Sequence, residues 1–238
     1  MKEIPIKQIY QHYFIPDNLA EHMLQTAALG KIICENWKED STNTNLTLNK
    51  DLIITTLLVH DLGNLVKFNL KQPVGYQCKE HQKLFQGDNL KFWQTKQQEM
   101  IKRYSPNASL ANLQILKELN LIKSAKLLKN HTFEHINQLI LQTGHWQEKI
   151  ISYCDLRFTP TGLDSVTNRI KDLKIRYKTS DSTWKNKDIV KQRLTSSLAL
   201  EQQLNSQTKI DITQVKTVEI NDNIIQLQNY SIRVNGKN

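Results

Sequence analysis

The chain of 238 residues has few of the residues that interrupt helices: seven glycines and five prolines. A protein of many β-strands needs frequent tight turns, and these turns depend on glycine and proline. The scarcity of both residues therefore argues against an all-β fold. The many Leu, Lys and Gln residues favour helices, and we predict an all-α fold.

Cysteine is also scarce. Cys34, Cys78 and Cys154 are odd in number and far apart, and they form no CxxC pair. This pattern excludes a framework of paired disulfides and a zinc ribbon. The chain has no apolar run of the roughly 18 residues that a membrane span needs, and its first residues lack the apolar core of a signal peptide. We therefore expect a cytoplasmic protein that has no membrane partner.

The formal net charge is +9 and the pI is about 9.3. A positive balance of this kind can attract nucleic acid, anionic lipid or phosphorylated small molecules. Lys and Arg are spread thinly and form no dense block. The distribution therefore favours a small phosphorylated ligand over nucleic acid.

The spacing of apolar residues predicts a series of helices. These helices cover 16–37, about 49 to 61, 80–104, 105–120, 121–129, 131–142, 145–156, 161–177 and 184–204. The predicted N-caps are Asn49, Ser105, Thr161 (in a capping box) and Ser182. The tail, 210–234, is ambiguous between a short helix pair and strands.

Two segments between helices show no helical pattern. Residues 39–45 form a polar stretch, and residues 71–79 contain Pro and Gly. We predict one domain at 1–180 and a C-terminal helical extension, 181–238, packed on it.

A polar pair ends the most apolar helix, in the stretch LLVHDLGNLVKF. His60 and Asp61 follow the apolar run directly, and adjacent residues on a helix point about 100° apart. Both could bind one ion beside the helix end. His22 lies on the preceding helix, and Asp155 follows a similar apolar run in IISYCDLRF. Imidazole nitrogens and carboxylate oxygens suit a divalent metal, so these four residues are candidate ligands.

The order His…His-Asp…Asp on successive helices, with Gly63 two residues after the pair, resembles the HD-domain metal-dependent phosphohydrolases. The resemblance covers roughly residues 16–177. It implies an HD-domain-like helical bundle in which His22, His60, Asp61 and Asp155 bind one divalent metal ion (Mn, Co, Ni, Fe, Mg or Zn). Members of this family cleave phosphomonoesters or phosphodiesters, mostly of nucleotides.

Asn64 departs from the family pattern, because many members have Lys at this position. We predict that Asn64, Lys67 and Arg157 contact the substrate, and Arg169 is a further candidate for phosphate binding. A guanidinium group matches a phosphate through two parallel hydrogen bonds. Arg157 lies two residues after Asp155 and could therefore border the same pocket.

Family members with two metals have two further histidines between the HD pair and the last Asp. His81, His131 and His135 lie in this interval, and their alignment remains open, so we favour one metal. HTFEH, residues 131–135, also matches the inverted zinc-protease motif HxxEH, with Glu134 as the base. A match at only three fixed residues is weak evidence for a zinc protease. We interpret the segment as a solvated helix face or, through His131 and His135, as part of the substrate pocket.

These patterns lead to two hypotheses of different classes. The first is a phosphohydrolase that cleaves a small phosphorylated substrate, with a nucleotide expected, by means of a metal-activated water that Asp61 aligns. The candidates for the acid that protonates the leaving oxygen are Glu80, His81, Glu134 and His135. The alternative is a non-catalytic HD-like module that binds a nucleotide or nucleic acid and has a regulatory role.

Overall fold

Helices form most of the protein in a computed structural model that describes residues 2–38, 48–70 and 83–234. The described ranges contain eleven α-helices, which confirms the predicted all-α class. They are α1 (Ile6–His12), α2 (Asp17–Glu35), α3 (Lys50–Val59), α4 (Asp88–Arg103), α5 (Ala108–Glu118), α6 (Ile122–Leu128), α7 (Phe133–Leu139), α8 (Trp146–Leu156), α9 (Val166–Tyr177), α10 (Lys187–Ser206) and α11 (Thr217–Leu227).

Short strands and 3₁₀ turns complete the described chain. Strand β1 (Lys2–Pro5) pairs antiparallel with β4 (Ser231–Val234), and β2 (Phe158–Thr159) forms a small hairpin with β3 (Gly162–Leu163). The 3₁₀ turns cover Asn64–Lys67, Ser182–Lys185 and Ile212–Gln214. The ambiguous tail is therefore one helix followed by one strand.

The predicted start of α3 is confirmed. The Asn49 side chain accepts a hydrogen bond from the Leu52 N–H at 2.9 Å, which satisfies one of the free N–H groups at the helix start. The helix then buries Ile53, Leu57 and Leu58 completely. A capped, apolar helix of this kind holds the residues at its C-terminal end in a defined position.

The other three predicted N-caps are wrong, because each side chain is part of a turn before the helix. Ser105 accepts from Asn107 N–H, and Asn107 itself caps α5. Thr161 lies in the turn of the β2–β3 hairpin, where Gly162 has a positive φ of 112°. Ser165 is the cap of α9 instead.

The predicted N-cap at Ser182 is wrong for the same reason. Ser182 starts the short 3₁₀ turn Ser182–Lys185, and Asn186 caps α10 through hydrogen bonds from two backbone N–H groups.

Several predictions fall outside the described residues. These are the loop 39–45, the irregular segment 71–79 and the helix start at Glu80, together with Cys78 and His81.

Helix α2 is at the centre of the core and packs against α3, α8 and α11. At Gly30 an added Cβ would lie 2.3 Å from Leu57 Cδ1, so this glycine permits the close approach of α2 and α3. A single apolar cluster extends from Ile6 to Val234. The segment after residue 180 therefore shares the core of the preceding helices, while the domain boundary there stays a prediction.

Within the described ranges, we find no helix with both the length and the apolar character required to cross a bilayer.

Candidate metal centre

The His60 ring is oriented by the helix that precedes it. Its Nδ1 lies 2.7 Å from the Leu57 carbonyl oxygen. Because a carbonyl oxygen only accepts hydrogen bonds, Nδ1 must carry the hydrogen in this contact. In the neutral ring, Nε2 therefore has a free lone pair, which is the form in which histidine binds metals.

The environment of His60 Nε2 suits a cation. The atom is buried and has no hydrogen-bond partner among the described residues. It lies 3.8 Å from Asp61 Oδ2 and 4.0 Å from Asp155 Oδ1. Burial lowers the pKa of His60, and the nearby Asp61 carboxylate only partly opposes this shift. A neutral imidazole is thus favoured, with its lone pair beside two carboxylates.

His22, from α2, completes the cluster. Its Nε2 lies 3.2 Å from Asp155 Oδ1 and 3.9 Å from Asp61 Oδ2. Two ligands with bonds of about 2.1 Å to one ion are at most about 4.2 Å apart, and the four distances between His22 or His60 and the two carboxylates meet that limit. Ligand atoms of His22, His60 and Asp61 all lie within 4.8 Å of one another, so these three residues could hold a metal ion. The structure therefore places three of the four predicted ligands around a possible ion position, and the fourth, Asp155, lies beside both histidines.

Both carboxylates are held in the ionised form that a metal requires. Burial by itself would raise the pKa of Asp61, but the positive charge that His60 carries when it is protonated and the Lys67 ammonium outweigh this effect and lower it. Burial would also raise the pKa of Asp155. The imidazoles of His131 and His22 nevertheless hold that pKa well below its usual range. The arrangement matches the chemistry of an oxygen-and-nitrogen site for a divalent cation.

Asn112, from α5, supports the turn that carries the HD pair. Its Nδ2 donates to the His60 carbonyl oxygen at 2.7 Å, and its Oδ1 accepts from Gly63 N–H at 3.3 Å. An added Cβ on Gly63 would lie 2.4 Å from the Asn112 backbone nitrogen. Glycine is therefore required here by close packing against α5. Sequence reasoning missed Asn112, since a partner about 50 residues away leaves no local pattern.

A cavity of about 750 Å³ opens beside His22 and Asp61. Asn64 and Lys67 line it, as predicted for substrate-contacting residues, and so does Arg169. Its other walls come from the start of α2, the β2–β3 turn and the end of α9. Those walls include the following polar or aromatic side chains: Asn18, Gln25, Thr159, Thr161, Arg176 and Tyr177.

Arg157 does not line this cavity, which corrects its predicted role. Its side chain is 4% exposed, and its Nε donates to the Asp164 carbonyl oxygen at 2.7 Å. Nη1 donates to the Tyr153 hydroxyl and to the Ile212 carbonyl oxygen. The guanidinium is occupied by internal partners, so Arg157 joins three parts of the chain and is not placed to bind a phosphate.

The two histidines of HTFEH face different carboxylates. His131 precedes α7 and has its Nε2 3.7 Å from Asp155 Oδ2, whereas His135 Nε2 lies 2.7 Å from Glu148 Oε2. They do not converge on one point, which contradicts the zinc-protease hypothesis. Neither residue lines the cavity. The predicted substrate contact of His135 is not supported, while His131 lies against a candidate metal ligand.

Of the four candidates for the leaving-group acid, neither of the two that the structure describes lines the cavity. Glu134 is largely exposed, with its carboxylate 3.5 Å from Arg193. His135 pairs with Glu148. Glu80 and His81 lie outside the described residues.

Comparisons of the chain with protein-family models, with curated proteins and with solved structures found no match. The resemblance to HD-domain phosphohydrolases therefore depends on the residue pattern, and family membership stays a prediction.

Proposed function

We propose that the protein is a metal-dependent phosphohydrolase that acts on a small phosphorylated substrate, with a nucleotide as the expected class. The observation that carries the proposal is the buried Nε2 of His60, which has no hydrogen-bond partner in the part of the chain that the structure describes. Its lone pair faces two ionised carboxylates and a second imidazole at the wall of a cavity of about 750 Å³. A buried lone pair beside two partly buried negative charges is best compensated by a divalent cation.

His22, His60, Asp61 and Asp155 would hold this ion, and the ion would supply an activated water and offset charge on the phosphate. Asp61 lines the cavity and can also accept a hydrogen bond from the attacking water, which orients it. Lys67 and Arg169 supply positive charge at the cavity wall, and Asn64 supplies an amide that can donate to a phosphate oxygen.

The test combines metal content with a screen of phosphate esters. Asp61→Ala should weaken metal binding by about 100-fold and abolish turnover, because it removes a ligand and the water-orienting group. The helical fold should persist, as judged by circular dichroism. Asp222→Ala, on the exposed part of α11, serves as the matched control and should change neither quantity.

Nucleotides and simple phosphate esters would be screened with Mn²⁺, Co²⁺, Ni²⁺, Mg²⁺ and Fe²⁺. Unchanged metal content in Asp61→Ala would refute the metal-site assignment. If metal binds through these residues but no ester is cleaved, the non-catalytic binding module becomes the better hypothesis.

A further inference from the structure

Three charged residues form a ladder on one face of α9. Arg169, Asp172 and Arg176 are spaced by three and four residues, so they lie on the same side of the helix. Asp172 Oδ2 is 3.4 Å from Arg169 Nη1 and 2.6 Å from Arg176 Nη2, and Asp172 Oδ1 is 3.0 Å from Arg176 Nε. One carboxylate thus holds two guanidinium groups, and both arginines line the cavity beside the candidate metal centre.

The ladder begins at the metal centre and extends away from it. Arg169 Nη2 lies 3.5 Å from Asp155 Oδ1. The Arg176 backbone lies about 10 Å farther along a helix that rises about 1.5 Å per residue. Its guanidinium reaches back to the same Asp172 oxygen that Arg169 contacts, at 2.6 Å and 3.4 Å respectively, so the two guanidinium groups lie side by side. The cavity continues to Tyr177 and Ser180. A ligand that occupies its full length would reach from the metal ligands to Arg176.

The ladder leaves hydrogen-bond donors unused. Arg169 Nε is buried and has no hydrogen-bond partner in the described ranges. Arg176 uses Nε and Nη2 on Asp172, and its Nη1 has no recorded hydrogen bond to any described residue. Arg169 is shared between Asp155 and Asp172, whereas Arg176 faces Asp172 alone, so one carboxylate divided between two guanidinium groups only partly offsets the charge of Arg176. Guanidinium donors that remain free in a cavity wall suit an anionic group.

From this geometry we infer that the cavity contains a second anion subsite at Arg176, which lies beyond Arg169 as seen from the metal centre. Asp172 acts as the positioning residue that holds the Arg176 side chain against the cavity. The inference rests on the proposed function and narrows the substrate class. It specifies a phosphate ester that carries a second anionic group, phosphate or carboxylate, on the Arg176 side of the phosphate that the metal centre binds.

Two non-hydrolysable probes test the subsite. One is an α,ω-alkane bisphosphonate, taken from a short series whose extended phosphorus atoms lie roughly 6 to 10 Å apart, because the backbone rise along α9 sets only the upper end of this range. The other is the alkyl monophosphonate of the same chain length. Their dissociation constants for the full-length protein loaded with Mn²⁺ would be measured by isothermal titration calorimetry. We expect the bisphosphonate to bind about tenfold more tightly, as one added charge-assisted contact provides.

Variants on α9 identify the residue that gives the bisphosphonate its higher affinity. Arg176→Gln should remove the advantage of the bisphosphonate and leave the affinity for the monophosphonate unchanged. Asp172→Asn should reduce the same advantage, and Arg176→Lys should retain part of it. Lys174→Gln is the matched control, since it removes one positive charge from an exposed position of the same helix that does not line the cavity.

The outcomes distinguish a failure of the second subsite from a failure of the proposed function. If both probes bind equally well, the second subsite is wrong while the proposed function survives. If neither probe binds the metal-loaded protein, the phosphate-binding site fails together with the subsite. If Arg176→Gln lowers the melting temperature but leaves the ratio of the two dissociation constants unchanged, the ladder only stabilises α9.

Discussion

At the residue scale, the chemistry of His60 depends on two backbone carbonyl contacts. The Leu57 carbonyl oxygen accepts from the ring Nδ1 at 2.7 Å, and the carbonyl of His60 itself accepts from Asn112 at 2.7 Å. The first contact selects the tautomer whose Nε2 can bind a cation. The second holds the backbone that carries the ring. Residues that orient a metal ligand in this way affect metal affinity without touching the ion.

Asn112→Ala should therefore weaken both folding and metal binding. The substitution leaves the buried His60 carbonyl and the Gly63 N–H without their partner, which costs about 2 kcal/mol in the free energy of unfolding. We expect metal affinity to fall about tenfold, since the HD turn is less well held. Urea denaturation and metal titration would measure the two effects. Asn168→Ala, at an exposed position, should change the free energy of unfolding by less than about 0.5 kcal/mol.

At the element scale, the turn after α3 carries the HD pair and the start of the cavity wall. Residues three apart in a 3₁₀ helix point the same way, and Asn64 and Lys67 both line the cavity. Leu65 and Val66 lie between them, and both are buried in a small cluster with Met100. The 3₁₀ turn thus directs its polar pair to the cavity and its apolar pair to the core.

Gly63 allows this turn to lie against α5, and Gly63→Ala should be costly. The added Cβ would lie 2.4 Å from the Asn112 nitrogen and 2.5 Å from the Ala108 oxygen, and both atoms belong to backbone that cannot rotate away. We expect a loss of about 2–3 kcal/mol in the free energy of unfolding, measured by urea denaturation.

Gly30→Ala is the contrasting variant in α2. Its Cβ would meet the flexible end of Leu57, which can adjust, and alanine is favoured over glycine in a helix by about 1 kcal/mol. A smaller loss is therefore expected for Gly30→Ala. Equal losses for the two variants would show that backbone contact at Gly63 is not the reason for the glycine.

At the scale of the whole molecule, the C-terminal segment is tied to the helix that carries Asp155. Arg157 follows α8 directly and donates to the Ile212 carbonyl oxygen at 2.8 Å, and Tyr153 donates to Glu201 of α10 at 3.0 Å. Helix α11 packs on α2, and strand β4 pairs with β1. The two ends of the described chain therefore stabilise the same core.

Arg157→Met tests this link. The change leaves the carbonyl oxygens of Asp164 and Ile212 without a donor inside the protein, so we expect the free energy of unfolding to fall by about 3 kcal/mol. Arg233→Met is the comparison, because the Arg233–Glu3 ion pair is well exposed and should contribute less than about 0.5 kcal/mol. Urea denaturation would measure both. Similar values for the two arginines would contradict a clamping role for Arg157.

The sequence alone determined the helical class, the position of α2 and α3, and the four candidate ligands. Apolar residues that recur at helical spacing must be buried on one face, and that requirement can be recognised without knowing the partner. His60, Asp61 and Asp155 were recognisable because polar residues at the end of apolar runs need a specific partner. Short-range patterns were less decisive at helix starts, where Ser105, Thr161 and Ser182 form turns instead of caps.

Only the tertiary structure decided how these residues are combined. Asn112 acquires its importance from a contact across helices, and Arg176 from its position on the cavity wall. Arg157 loses its predicted role because its donors are used inside the core. Local propensity depends on neighbours within a few residues. The partner of a buried polar group can lie anywhere along the chain, and its identity emerges only when the helices pack.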